Sequence, residues 1–323
     1  MLYLFIMIKA VVGLDLGGTF IKVGLVNEKG KILKKEQLPT TREKGRKAVL
    51  SQMEKGIKIA LKGERNVSGI GIGTPGLVNK KGKVFSAPNL PDWNNLPLKK
   101  IFQDKFHLPV VVENDVNTIT SGEYIYGAGK GYKNIICITL GTGLGGGMVL
   151  NGKLFRGSKL SAGEIGHIPI CYNGPKCNCG NFGCIERYVG AEYISQMARD
   201  AIKKGRKSKI KKIVKGNLEK ISPEVISQAD KKGDSLAREI WEKVGLYLGT
   251  LFSGLINLLN PEIIIIGGGI AQAGKPLFDS ISQEIKKRAF PLLAKDVKVV
   301  PAKLGLDSGI ISAASLIIGE SKK

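Results

Sequence analysis

The stretch Val11-Val-Gly-Leu-Asp-Leu-Gly-Gly-Thr19, followed by Phe20-Ile-Lys-Val-Gly-Leu-Val26, decides the fold. An apolar run meets a Gly-Gly-Thr turn and continues into a second β-rich run. Glycine-rich turns also follow strands where dinucleotides bind, but there the turn must open a helix. Here the residues after the turn alternate and are β-rich, so the turn joins two antiparallel strands. The design recurs at Ile135-Ile-Cys-Ile-Thr-Leu-Gly-Thr-Gly-Leu-Gly-Gly-Gly147, which runs on into Met148-Val-Leu-Asn-Gly152. Strand, glycine hairpin, strand thus occurs twice, the mark of a duplicated fold. Backbone N–H groups in glycine turns form anion-binding concavities, so two facing hairpins would make a clamp for phosphate.

A third glycine turn closes Glu262-Ile-Ile-Ile-Ile-Gly-Gly-Gly269, a fully apolar strand preceded by the helix-like stretch Ala237–Leu259. Glycines at that strand end allow close approach of a flat ligand such as a nucleoside. Between the first two hairpins the pattern predicts a helix over Arg42–Lys62, a strand over Val67–Thr74 and the loop Gly73-Thr-Pro-Gly76. A proline-punctuated loop, Ser86-Ala-Pro-Asn-Leu-Pro-Asp-Trp93, carries the polar Asn89. The strand Pro109-Val-Val-Val-Glu-Asn-Asp115 ends in three polar residues and runs into the helix-like Val116–Tyr126. Side chains at the carboxyl end of a strand are where open α/β sheets bind ligands. The plainer alternative is that Asp115 only caps the helix that follows.

Residues 161–187, SAGEIGHIPICYNGPKCNCGNFGCIER, hold one of the two histidines and four cysteines, three of them spaced C-x-C-x4-C. His167, Cys177, Cys179 and Cys184 offer one imidazole and three thiolates, a set that suits tetrahedral Zn2+. The intervening glycines and Pro175 let the backbone double back. Four such ligands leave no open position, so the metal would be structural. Glu164 and Glu186 flank the ligands, where a rigid knot could aim them. Buried thiols or a disulfide are the alternatives, and the tight spacing with a histidine argues against both. Cys171 could stand in for His167 as a ligand, whereas Cys137, inside an apolar run, reads as core packing.

At 323 residues the chain has room for about two domains. The opening MLYLFIMIKA is apolar but too short to span a bilayer and lacks a basic flank, and Met7 is a second candidate start. With clustered metal-type cysteines and no leader signal, a reducing cytoplasm and no membrane are expected. Lysine supplies 41 of the 50 basic residues behind the net charge of +23. Nucleic-acid readers favour arginine and interleaved aromatics, so this charge reads as a solvated face and no nucleic-acid partner is expected. The field still attracts small anions such as nucleotides.

Together these residues resemble the ROK family of sugar kinases, over the whole chain from Asp15-Leu-Gly-Gly-Thr19 to the last helix after Gly305-Leu-Asp-Ser-Gly309. The most specific pieces are Gly163-Glu-Ile-Gly-His167 and Cys177-Asn-Cys-Gly-Asn-Phe-Gly-Cys-Ile-Glu186. Within the family the pattern is most similar to ATP-dependent bacterial glucokinases. The resemblance implies an α/β, two-lobed actin-like and hexokinase-like ATPase fold of duplicated ribonuclease H-like domains, with a structural zinc knot. It places one lobe at residues 1–122, joined by the terminal helix at about 307–323, and the other at 123–306, with a cleft that closes on sugar. Family repressors carry an added N-terminal helix-turn-helix, and with the hairpin starting at about residue 9 none is expected here.

The resemblance further implies ATP-dependent phosphorylation of an aldohexose, D-glucose first, with Mg2+ as catalytic ion and Zn2+ in the knot. Asp115 matches the catalytic base, and Asn89, Asn114, Glu164, His167 and Glu186 match sugar ligands, as does Asp115 itself. His167 would serve metal and sugar with different ring nitrogens. Asp15 matches the carboxylate that holds Mg2+. Gly17, Gly18 and Thr19 match one phosphate hairpin, Thr142 and Gly143 the other, and Gly268 and Gly269 the adenosine-side turn. A homodimer or dimer of dimers is expected. Rivals are kinases of N-acetylglucosamine, N-acetylmannosamine or another hexose, a polyphosphate donor, and a sugar-sensing regulator without turnover. Ser308 departs from the small residue of the family's Ala-Gly pair, and the lysine content is not explained by the family.

Overall fold

The structure, a computed structural model, describes residues 10–87, 90 and 92–320. The chain is mixed α/β and divides into two compact units. One comprises Met1–Gly131, Leu154–Ala162 and Lys303–Lys323; the other comprises Tyr132–Lys153 and Gly163–Ala302.

The first unit is built on β1 (Ala10–Leu16), β2 (Phe20–Asn27), β3 (Ile32–Pro39), β4 (Val67–Thr74), β5 (Leu77–Val78), β6 (Val84–Ser86) and β7 (Val110–Asn114). Five of these form one sheet in the order β3-β2-β1-β4-β7. The hairpin strands β1, β2 and β3 pair antiparallel, whereas β4 runs parallel to both β1 and β7. β5 and β6 make a separate antiparallel pair. The strand predicted at Val67–Thr74 forms with those bounds. Edge strand β3 carries Lys34, Lys35 and Glu36 exposed, and charge on an edge discourages pairing with another chain. The helix predicted over 42–62 is shorter: Gly45 takes φ +81, so a 3-10 turn at Arg42–Lys44 is separated from the helix Arg46–Leu61.

One face of this sheet packs Val12, Leu14, Ile21, Val23 and Ile72 with Met53 and Ile57 of that helix. The other face carries Val11 and Val26 against Ile310, Ala314 and Ile317 of the helix Ser308–Glu320. That helix seats closely because Gly13 and Gly71, paired in register across β1 and β4, have no side chain. A Cβ on Gly13 would lie 2.0 Å from the Ile310 carbonyl oxygen, and one on Gly71 1.8 Å from that of Ala313.

A second five-stranded sheet repeats the pattern with β8 (Ile135–Leu140), β9 (Leu144–Leu150), β10 (Lys153–Phe155), β11 (Ile263–Gly267) and β12 (Lys298–Pro301). The sheet order is β10-β9-β8-β11-β12, with β8 antiparallel to β9 and parallel to β11, which runs parallel to β12. In both sheets, then, the first hairpin strand has its antiparallel partner on one side and a parallel strand on the other. All five residues of β11 are buried, as a parallel strand covered on both faces requires. The long helix expected from Ala237 begins at Ser235, because Asp234 caps it by accepting the Ala237 N–H at 2.8 Å. Among the described residues no helix is long and apolar enough to cross a membrane.

Two glycine substitutions should separate packing from propensity. Gly71→Ala forces a backbone clash under the terminal helix and should lower the apparent Tm, with a loss of at least ~1–3 kcal/mol. Gly254→Ala, inside the long helix with nothing within 4 Å of the new Cβ, should raise stability by ~0.5–1 kcal/mol. Scanning calorimetry of both variants checks the opposite signs.

Candidate functional site

In the first unit the parallel strands β1, β4 and β7 end at one edge of the sheet. Register pairs Asp15 with Gly73 and Gly73 with Glu113, so the two acidic residues share one row with a glycine between them. Asp115 follows on the first turn of the helix Asp115–Ile125. Asn114, not Asp115, is the cap of that helix: its Oδ1 accepts the N–H groups of Val116 at 3.0 Å and Asn117 at 3.2 Å. Asn114 Nδ2 donates to the Gly76 carbonyl at 3.1 Å, and the Thr118 hydroxyl donates to the Asn114 carbonyl at 2.7 Å. Asp115 Oδ1 accepts the Val116 N–H at 2.9 Å. The strand–helix junction is therefore pinned from several sides, which fixes the carboxylate it presents.

Burial, with the charge of Asp115 next in importance, raises the Asp15 carboxyl from its ordinary 3.8 to about 6, against the opposing pull of Lys22. The two aspartates thus sense one another, although they come from β1 and from the residue after β7. Gly309, at the start of the terminal helix, lies directly against the Asp15 carboxylate. At the hairpin tip the Gly17 N–H bonds the Phe20 carbonyl at 3.0 Å, and the Thr40 hydroxyl bonds the Gly17 carbonyl at 2.7 Å. The Arg42 guanidinium reaches the tip beside Gly18, 3.7 Å from where a Cβ would stand. Sequence reading missed Arg42, since only the fold carries it to the turn. Asn89 lies outside the described residues.

In the second unit the β8–β9 turn holds Thr142 and Gly143, with the Gly141 N–H bonding the Gly143 carbonyl at 3.0 Å. Glu186 reaches the same turn: its Oε2 accepts the Leu144 N–H at 3.0 Å and lies against Gly143. Beneath it, a Cβ on Gly268 would sit 2.0 Å from the Leu140 carbonyl oxygen, so the β11 turn packs on the base of the hairpin. The glycines of β9 have a packing reason as well. Gly146 lies under Ile165 and the Gly163 carbonyl, so the Gly-Glu-Ile-Gly-His segment lies flat across the strand and presents Glu164 exposed.

His167, Cys177, Cys179 and Cys184 come together, with all their ligand atoms within 4.8 Å of one another. His167 Nδ1 is 3.7 Å from Cys177 Sγ, and Cys179 Sγ is 3.6 Å from Cys184 Sγ. Ligand atoms about 2.3 Å from one tetrahedral ion stand ~3.8 Å apart, so the cluster fits Zn2+. Because Nδ1 faces the thiols, Nε2 is the ring nitrogen left for another partner. Burial pushes the Cys184 thiol up to about 12, with Cys179 and Cys177 adding to it, whereas the backbone N–H of Asn181 lowers Cys179. Such crowded thiols favour a cation that can accept them as thiolates. The loop doubles back through Cys177 N–H to the Asn181 carbonyl at 2.7 Å and Gly180 N–H to the Cys177 carbonyl at 3.0 Å. Cys171 is exposed, bonds Asn173 at 3.1 Å and stands outside the cluster. Cys137 is fully buried in β8.

The raised Asp15 carboxyl has a sign that can be tested. Between its ordinary 3.8 and about 6 the folded state binds more protons than the unfolded state, so stability falls as pH rises through that window. Asp15→Asn should therefore stabilise the protein at neutral pH, by on the order of 1–3 kcal/mol. Thermal midpoints across the acid range check this; a variant less stable than wild type at neutral pH would contradict it.

A model of the ROK family matches residues 11–320. The glucokinase of Thermotoga maritima is 39% identical over 307 residues, covering 95% of this chain and 96% of that enzyme. The xylose repressor of Caldicellulosiruptor bescii is 31% identical over 97% of this chain and 79% of its own length. The crystal structure of a ROK family glucokinase from Streptomyces griseus, in complex with glucose and AMPPNP, superposes with a TM-score of 0.81 at 33% identity. That match covers 95% of this chain and 99% of the other.

Proposed function

The chain belongs to the ROK family, and from that premise we propose that it transfers the γ-phosphoryl group of ATP to the 6-hydroxyl of D-glucose. The observation that carries this reading is the carboxylate pair of the first unit. Asp115 is held by a pinned strand–helix junction and coupled to Asp15, which lies next to a glycine hairpin. Phosphoryl transfer requires alignment, charge neutralisation and a destination for one proton, with little covalent work from the protein.

Asp115 accepts the proton of the attacking hydroxyl. Its carboxylate need not be strongly basic, because the hydroxyl acidifies only as its bond to phosphorus forms. Asp15 would hold Mg2+, which when bound would supply positive charge against the phosphate oxygens and against the repulsion between the two aspartates. Gly17, Gly18 and Thr19 cradle phosphate with backbone N–H groups, with Arg42 beside them. Thr142 and Gly143 do the same in the second unit, and Gly268 and Gly269 receive the adenosine side. Asn89, Asn114, Glu164, His167 and Glu186 bind sugar hydroxyls. Asn114 keeps one amide N–H for this beyond the bonds it already makes. Glu186 keeps Oε1, since Oε2 is committed to the hairpin. His167 binds through Nε2 while Nδ1 belongs to the thiol cluster, where Zn2+ would hold the knot rigid. A reducing compartment, the cytoplasm, suits those thiols.

A second reading, a hexose-binding regulator without turnover, draws on the likeness to the xylose repressor. Asp115→Ala separates the two. Under the kinase reading the variant loses turnover by at least about 10²-fold while calorimetry still detects glucose and ATP binding. Appreciable residual phosphorylation would remove Asp115 as the base. For the knot, Cys179→Ser should lose bound zinc by elemental analysis and weaken glucose binding more than ATP binding. Cys171→Ser should retain the metal; equal loss in both variants would contradict the four-ligand assignment.

A further inference from the structure

The buried carboxylate of Glu113 has a task that the proposed reaction does not assign to it. Glu113 closes β7 in register with Gly73 and is 4% exposed. Its Oε1 accepts the Asn114 N–H at 3.0 Å and the Asn117 side-chain amide at 3.2 Å. Its Oε2 accepts from Arg156 Nε at 2.6 Å, and the Arg156 side chain is itself one-third exposed. Asn114 is the cap on which the first turn of the next helix hangs, and Asp115 is the first residue of that turn. Arg156 is held in its own place by a closed loop, in which its carbonyl accepts the Ala162 N–H at 3.1 Å.

Resting on the reading of Asp115 as base, we infer that Arg156 and Glu113 form a positioning pair that holds the Asn114–Asp115 peptide in place for phosphoryl transfer. Neither side chain needs to touch substrate. Burying a carboxylate is costly unless its charge is matched and its oxygens are bonded, and Arg156 supplies the charge. With that charge gone, Glu113 must draw in water or turn outward, and either movement releases the Asn114 N–H and the Asn117 amide. The cap then loses its fixed geometry, and displacement of a reacting group by about 1 Å is enough to slow a reaction on the order of 10²-fold. The acid–base pair is also segregated from the rest of the sheet edge: Asp15 lies across Gly73 and faces Lys22, so Arg156 is the cation bonded to Glu113.

The test is a coupling cycle read two ways on the full-length protein. Arg156→Met should lower kcat on glucose by roughly 10–100-fold and leave the KM for glucose and ATP within about threefold. Arg156→Lys should recover part of the loss, because a point charge replaces one directed bond. The double variant Arg156→Met/Glu113→Gln should be faster than Arg156→Met alone, since it no longer buries an unmatched charge. A simple packing role predicts instead that the losses of Arg156→Met and Glu113→Gln, each measured singly, add in the double variant. The second readout is hydrogen exchange of the peptide over residues 110–120, which needs no turnover. Its amides should exchange faster in Arg156→Met and return toward wild type in the double variant. Unchanged kcat with unchanged exchange, or additive losses without recovery, would overturn the inference. Should the wild type fail to phosphorylate any hexose, the kinase reading falls, and the exchange pattern alone then decides whether the pair positions this junction.

Discussion

Two like charges brought together at one sheet edge set the terms for the first unit. Asp15 and Asp115 arise a hundred residues apart in sequence, and burial with mutual repulsion lifts the Asp15 carboxyl to about 6. A fold gains nothing in stability from such an arrangement, so other contacts must hold it. Parallel pairing of β1, β4 and β7 fixes the row in which Asp15, Gly73 and Glu113 stand. The seat of the terminal helix on Gly13 and Gly71 supports that row from one face, and Met53 and Ile57 support the sheet from the other. A divalent cation held beside the two carboxylates would turn that repulsion into attraction.

The second unit solves a different problem, that of presenting polar side chains from an irregular segment. Residues 163–186 have little regular structure, so their rigidity must come from elsewhere. Contact of Gly146 with Gly163 and Ile165 lays the segment on β9, and the cluster of His167 with three cysteines ties its two ends. Glu186 links this segment to the β8–β9 turn through the Leu144 N–H. The irregular segment and the glycine turn are thereby joined through one carboxylate.

Much of this was legible because the signals are local. The two glycine hairpins, the strand at Val67–Thr74 and the cysteine spacing are each specified within a short window, and each forms where its pattern puts it. Local patterning misplaced the start of the helix at Arg46, where Gly45 at positive φ interrupts an otherwise helical run. It also left open the cap, which proved to be Asn114 and not Asp115. Contacts between distant segments were beyond its reach: Arg42 at the first hairpin, Arg156 on Glu113, and Gly13 beneath Ile310. One compositional signal did point toward them. The chain has only nine arginines among 50 basic residues, and among the described residues five of them pair with carboxylates, at Glu113, Glu192, Glu239, Asp230 and Glu284. Lysine covers the surface, whereas arginine is kept for directed bonds that lysine makes less well.

The most direct measurement is phosphorus NMR of Mg-ATP with the wild-type protein and, in parallel, glucose, N-acetylglucosamine, N-acetylmannosamine and xylose. The account predicts loss of the γ-phosphate signal and growth of a hexose 6-phosphate resonance with glucose, with far slower change for the N-acetylated sugars and none for xylose. Glucose that binds without any phosphate ester appearing would contradict it and favour the regulator; rapid transfer to an N-acetylated sugar in preference to glucose would overturn the assigned substrate.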